Sequence, residues 1–232
     1  MKIMVYTCVV GRRDRLPTAT EHGGESYECY ADDPSRYKGR GWNCYPILHL
    51  ENSPVRTARW HKMHPHFGFP NPDFFVWVDA HITPKTDLTK LVTQLDGDVA
   101  AFRHREREDP YQEIRTVLNL GLETKEVCQQ SREKLILSGY PKLGGLHETG
   151  ILILRNCEAV RHFLQDWWLE THFRDQLHFN RLVRRHQLKL IDLPGNVIEN
   201  NYFDWGEHVS ATDPLVKRLQ RQWSGRIDLG KF

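Results

Sequence analysis

The chain has 232 residues, 39% of them hydrophobic and 27% charged, with a formal net charge of +2. These proportions describe an ordinary globular domain and exclude a disordered or fibrous chain, and no apolar run approaches the ~18 residues that span a bilayer. So small a net charge does not by itself argue for a nucleic-acid partner, although Arg103 to Arg107, Arg181 to Lys189 and Lys217 to Arg226 are locally basic.

The first ten residues are too short for a secretory signal and read as a strand from about Lys2 to Val10, ending at Gly11 and a charged loop. A second strand near Ser26 to Ala31 stops at Asp32-Asp33-Pro34. No GxGxxG follows the first strand and no GxxxxGK[ST] occurs anywhere, so dinucleotide and P-loop readings lack their usual support. Cys8, Cys29, Cys44, Cys128 and Cys157 are scattered, with no CxxC pair to suggest a zinc knuckle or a disulfide framework. Reduced thiols in a cytoplasmic protein are the expectation.

Ser53 caps a helix that opens at Pro54 and runs to about Met63, carrying Arg56, Arg59 and Lys62 on neighbouring parts of its surface. Next comes Phe74-Phe75-Val76-Trp77-Val78, a continuous apolar run that reads as a buried strand. It ends in Asp79-Ala80-His81. Ligands of open α/β sheets sit outside the strands' carboxyl ends, and extended residues two apart project to one side. Asp79 and His81 can therefore grip one divalent cation; a helix-capping Asp beside a loop His is the competing reading.

Another strand over Asp98 to Phe102 ends in Arg103-His104. Residues 111–138 are mostly helical, interrupted around Gly121, and a Gly-rich turn over 139–145 leads through His147-Glu148-Thr149-Gly150 into the strand Ile151 to Leu154. Val160, Phe163, Leu164, Trp167 and Trp168 form the apolar stripe of a helix, with the double Trp read as core. Asp175 begins a helix whose apolar side holds Phe179, Leu182 and Val183; a short strand, Leu188 to Leu193, precedes a Gly- and Asn-containing tail with little regular pattern. Alternating strands and helices give an α/β protein.

Several segments, taken in order, resemble a known family. They are Arg59-Trp60-His61-Lys62-Met63-His64-Pro65-His66, Phe75-Val76-Trp77-Val78-Asp79, Ala101-Phe102-Arg103-His104-Arg105-Glu106-Arg107, Gly139-Tyr140-Pro141, Gly145-Leu146-His147-Glu148-Thr149-Gly150, Trp167-Trp168 and Arg174-Asp175-Gln176-Leu177-His178-Phe179-Asn180. The family is the glycosyltransferase-like one long known as a domain of unknown function, with plant members in mucilage pectin synthesis and turgor regulation. The resemblance implies a single-domain GT-A-like α/β fold with a mixed, mostly parallel central sheet flanked by helices. Within residues 1–232, about 1–105 would form the donor-nucleotide half and about 106–232 the acceptor half.

The resemblance also implies a metal-dependent transfer of sugar from a nucleotide-diphospho-sugar, a UDP-sugar, to an acceptor hydroxyl on a glycan or a modified DNA base. Asp79 takes the place of the family's metal-associated acid. The family continues with Gly and a basic or polar residue where this chain has Ala80-His81, so His81 is open to metal or to diphosphate. His208 is a further metal candidate by order along the chain. Mn²⁺ or Mg²⁺ and basic groups would stabilise the leaving diphosphate, with Thr7, Arg59, Lys62, Arg103 and Gln176 as donor contacts. Glu148 and Asp175 are the acids expected to handle the acceptor proton or the oxocarbenium-like centre. A ceramidase-like metal-dependent hydrolase and a non-catalytic nucleic-acid-binding protein are the alternatives; no HExxH supports the first.

Overall fold

A computed structural model describes residues 1–11, 16–20, 22–69, 71–172 and 174–206. Seven strands form its central sheet: β1 (Ile3–Val9), β2 (Glu25–Ala31), β3 (Asn43–Pro46), β4 (Phe74–Val78), β6 (Val99–Arg103), β7 (His147–Arg155) and β8 (Leu190–Asp192). They lie in the order β3-β2-β1-β4-β7-β6-β8. All are parallel except β7, which runs antiparallel to both β4 and β6. Between them come α1 (Pro54–Met63), α2 (Thr89–Gln94), α3 (Pro110–Asn119), α4 (Lys125–Leu137), α5 (Glu158–Glu170) and α6 (Gln176–Arg185). A separate two-stranded sheet pairs β5 (Ile82–Pro84) with β9 (Phe203–Trp205).

Burial on both faces explains why the strands read as apolar runs. On β1, Ile3, Val5 and Val9 enter one core, with α2 and the β5–β9 pair. Met4, Tyr6 and Cys8 enter the other, which α1, α5 and α6 cover. Trp167 is wholly buried there, as expected, whereas Trp168 is only partly buried beneath the Arg56 guanidinium, 3.8 Å from its ring centre. Fully burying one large apolar side chain is worth roughly 1.5–3 kcal/mol, so the two cores hold the rim residues on a stiff base. The helical stretch after β6 splits at Gly121, whose φ of +62° suits glycine, into α3 and α4. Asp109 caps α3 by accepting from the Gln112 amide at 2.8 Å.

Several elements depart from the sequence expectation. β7 begins at His147 rather than Ile151, because its first residues pair with Phe102 and Arg103 across a register shift. β3 is a short, mostly exposed edge strand without apolar alternation, and α2 has only six residues. β5 and β9 are three residues each, and β9 lies in the tail read as irregular; the pair exists through mutual hydrogen bonding.

Candidate functional site

The order of the strands selects one end of one crevice. From β1 the chain moves outward to β2 and β3, then returns to the other side of β1 as β4. Ligands bind at such a switch point, beyond the carboxyl ends of the strands. Tyr6 pairs with Trp77, so Thr7 and Asp79 lie just past that pair at the crevice. Because β7 is antiparallel, its first residues arrive at this same rim, and the Asp79 amide donates to the Gly150 carbonyl at 2.8 Å. β6 and β8 end here too, at Arg103 and Asp192.

Asp79 is partly exposed, with 29% of its side chain accessible. The Trp77 indole N–H donates to its Oδ1 at 2.9 Å, and Arg59 Nη1 lies 3.8 Å from the same oxygen. These contacts orient the carboxylate. Oδ2 faces Gly150, where an added Cβ would sit only 3.2 Å away. Glycine thus leaves a cradle at the second carboxylate oxygen. A partly exposed hard oxygen donor suits Mg²⁺ or Mn²⁺, which commonly take one or two carboxylates and complete their shells with water and substrate phosphates. Among the described residues no group of three His, Cys, Asp or Glu side chains is arranged around a metal, so the fit rests on Asp79. Gly150→Ala is expected to weaken Mn²⁺-dependent nucleotide binding with little change in melting temperature. An unchanged affinity in calorimetry would remove the cradle from the account.

Lys62 and Asp175, expected to meet donor and acceptor, face each other instead. Lys62 is fully buried between the Trp77 and Trp167 rings, 5.7 and 5.3 Å from their centres. Its ammonium donates to Asp175 Oδ2 at 2.6 Å and to the Thr149 carbonyl. A buried charge persists only when paired and hydrogen-bonded, and this pairing leaves Lys62 no open surface for phosphate. Asp175 is 3% exposed and makes no side-chain helix cap. Burial would raise its pKa, but Arg59, 3.3 Å away, and Lys62 outweigh burial and hold it at about 2. Arg59 alone of the three reaches both carboxylates and remains partly accessible.

Glu148 occupies the rim beside a second set of contacts. Arg105 Nε approaches its Oε1 at 3.4 Å. Burial pushes the Glu148 carboxyl upward and Arg105 opposes that push. The Gln176 amide donates to the His147 carbonyl at 3.0 Å, so Gln176 steadies the backbone before Glu148. The His147 ring meets Asp192 at 2.8 Å and Asn180 at 2.7 Å, and Arg103 Nε donates to Asp192 at 2.8 Å. Arg103 and Arg105 then line a polar cavity of about 440 Å³ with Gly145 and Leu146.

Thr7 is fully buried, with no hydrogen-bond partner for its hydroxyl among the described residues. The His81 ring is buried edge-on against Trp205, 4.6 Å between centres. His208 lies outside the described residues. Sequence reasoning missed Trp77, Gly150 and Arg105 as site residues. The first reads as core, the second as the residue leading into a strand and the third as part of a locally basic run; only the strand pairing brings them to the rim.

No family model and no curated protein matches the chain. Among solved structures, the apo WbbM bifunctional glycosyltransferase superposes with a TM-score of 0.51 at 9% identity, over 83% of this chain and 38% of that one. Apo mouse xyloside xylosyltransferase 1 superposes with a TM-score of 0.49 at 11% identity, over 83% of this chain and 85% of that one. The fold is GT-A-like. Among the described residues no helix is long and apolar enough to cross a membrane.

Proposed function

We propose that this protein is a metal-dependent glycosyltransferase that moves a sugar from a nucleotide-diphospho-sugar, a UDP-sugar, to an acceptor hydroxyl. The observation that carries the reading is Asp79. Its carboxylate is partly open at the switch-point rim and oriented by Trp77 and Arg59, and Gly150 keeps a side chain from pressing on its second oxygen. A GT-A-like fold adds support. Bound there, Mn²⁺ or Mg²⁺ would supply positive charge to the departing diphosphate.

The chain's own groups divide the remaining work. Arg59 is placed to bind a diphosphate beside Asp79, while Asp175 and Lys62 fix it from beneath. The Thr7 hydroxyl is fully buried, so Thr7 is removed from the donor contacts. Glu148 is the acid placed to receive the acceptor proton, and the cavity reached through Arg105 is where the acceptor, a glycan or a modified base in DNA, would enter. Asp175 is reassigned from catalysis to positioning, because its carboxylate is buried and engaged.

A screen of nucleotide sugars with and without Mn²⁺ tests this reading. Turnover of a UDP-sugar only with the metal is expected; the absence of turnover and of binding across all donors and ions would refute it. The pH dependence tests Glu148 separately. A base must be ionised, so the rate should climb as pH rises through the elevated Glu148 pKa. Arg105→Ala removes the charge that opposes this elevation, so the ascending limb should move upward by about one pH unit. A limb that stays in place would assign the proton to another group.

A further inference from the structure

Outside this site, two thiols face each other across the edge of the sheet. Cys29 on β2 is the direct register partner of Cys44 on β3. Both side chains belong to the same face, Cys29 completely buried in the core and Cys44 partly buried against it. Each thiol donates only to a nearby backbone carbonyl, Cys29 Sγ to Tyr30 and Cys44 Sγ to Trp42, both at 3.6 Å, and neither is in a disulfide. Adjacent strands lie about 4.8 Å apart, within the ~4.4–6.8 Å Cα separation that a disulfide accepts. Register, a shared face and strand spacing thus bring the pair within disulfide reach.

We propose that Cys29 and Cys44 form an oxidisable dithiol, which a peroxide converts to a cross-strand disulfide. Cys44, the partly exposed partner, is the attacking sulfur, because a peroxide can reach it and cannot reach the fully buried Cys29. Its thiolate attacks one peroxide oxygen, the O–O bond breaks, and the departing hydroxide takes up a proton to leave as water. Cys44 is then a sulfenic acid. The Cys29 sulfur displaces that hydroxyl, so the S–S bond forms as the S–O bond breaks, and a second water carries away the Cys29 proton. Two thiols and one peroxide give one disulfide and two waters.

The consequence is mechanical. Cys29 is also the register partner of Thr7 on β1, so one row crosses three strands from the exposed edge to the switch-point strand. A bond between Cys29 and Cys44 staples β3, a four-residue edge strand, to that row. The loop after β3 leads into α1, which carries Arg59 and Lys62, so oxidation would stiffen the approach to the donor end.

The test treats the full chain with hydrogen peroxide, blocks remaining thiols after unfolding and maps the peptides by mass. The expected result is a linked peptide pair containing Cys29 and Cys44, lighter by two hydrogens, restored by dithiothreitol, and accompanied by a reversible rise in melting temperature. Cys44→Ser should abolish the link and the rise, whereas Cys8→Ser should keep both. Over-oxidation of Cys44 with Cys29 still free, or a link between any other pair, would overturn the proposal.

Discussion

Asp79→Asn is expected to lower sugar transfer by about 10²–10³-fold, the loss typical when one preorganised charge-stabilising group is removed, while leaving the protein folded. The asparagine oxygen can still accept from the Trp77 indole N–H, so the rim keeps its shape. What disappears is the negative charge. The ion pair lost with Arg59 is long, at 3.8 Å, and partly exposed; pairs of that kind contribute about 0–1 kcal/mol. Stability and turnover should therefore separate, with turnover collapsing and the melting temperature nearly unmoved. Turnover equal to that of the parent chain would place the diphosphate somewhere other than this rim.

The second large effect is structural. Lys62→Met should destabilise the fold by about 3 kcal/mol, the low end of the cost of leaving a buried charge without its partner. Arg59 remains 3.3 Å from Asp175 and offsets part of the loss. For a domain of this size each kcal/mol moves the midpoint by ~2–4 °C, so thermal unfolding should start on the order of 10 °C lower. Methionine fits the slot between the two Trp rings, which separates lost charge from lost volume. Adding Asp175→Leu should recover much of the stability, because both charges are then gone. If the double variant is no more stable than the single one, the pair is not what holds α1 to α6.

This pair also sets an acid limb. The Asp175 pKa is lowered from its usual 3.8 to about 2 in the folded chain, so its contribution is fully present above about pH 4 and is lost as pH falls toward 2. A shift of that size corresponds to about 2 kcal/mol. In Lys62→Met the folded pKa should rise toward the usual value, and that part of the acid limb should shrink. Urea titrations at stepped pH measure both quantities.

The residues that announce themselves locally were legible in the sequence. Phe74–Val78 is apolar without alternation because it is buried on both faces, and its end at Asp79 marks the rim directly. The Ser53-Pro54 start of α1 and the break at Gly121 follow from capping and backbone chemistry. Pairing partners across the fold were not legible. Lys62 looks like any helix-surface lysine until α6 brings Asp175 against it, 113 positions along the chain. Gly150 reads as the residue leading into a strand until β7 runs back beside β4 and sets its missing side chain against Asp79. The β5–β9 pair failed for the same reason, since neither three-residue strand carries a period of its own.

Calorimetric titration of UDP into the parent chain and into Asp79→Asn, each with and without Mn²⁺, bears most directly on the central claim. The parent chain should bind UDP only with Mn²⁺, and the variant should not bind it. Equal Mn²⁺-dependent binding by both chains would contradict the claim.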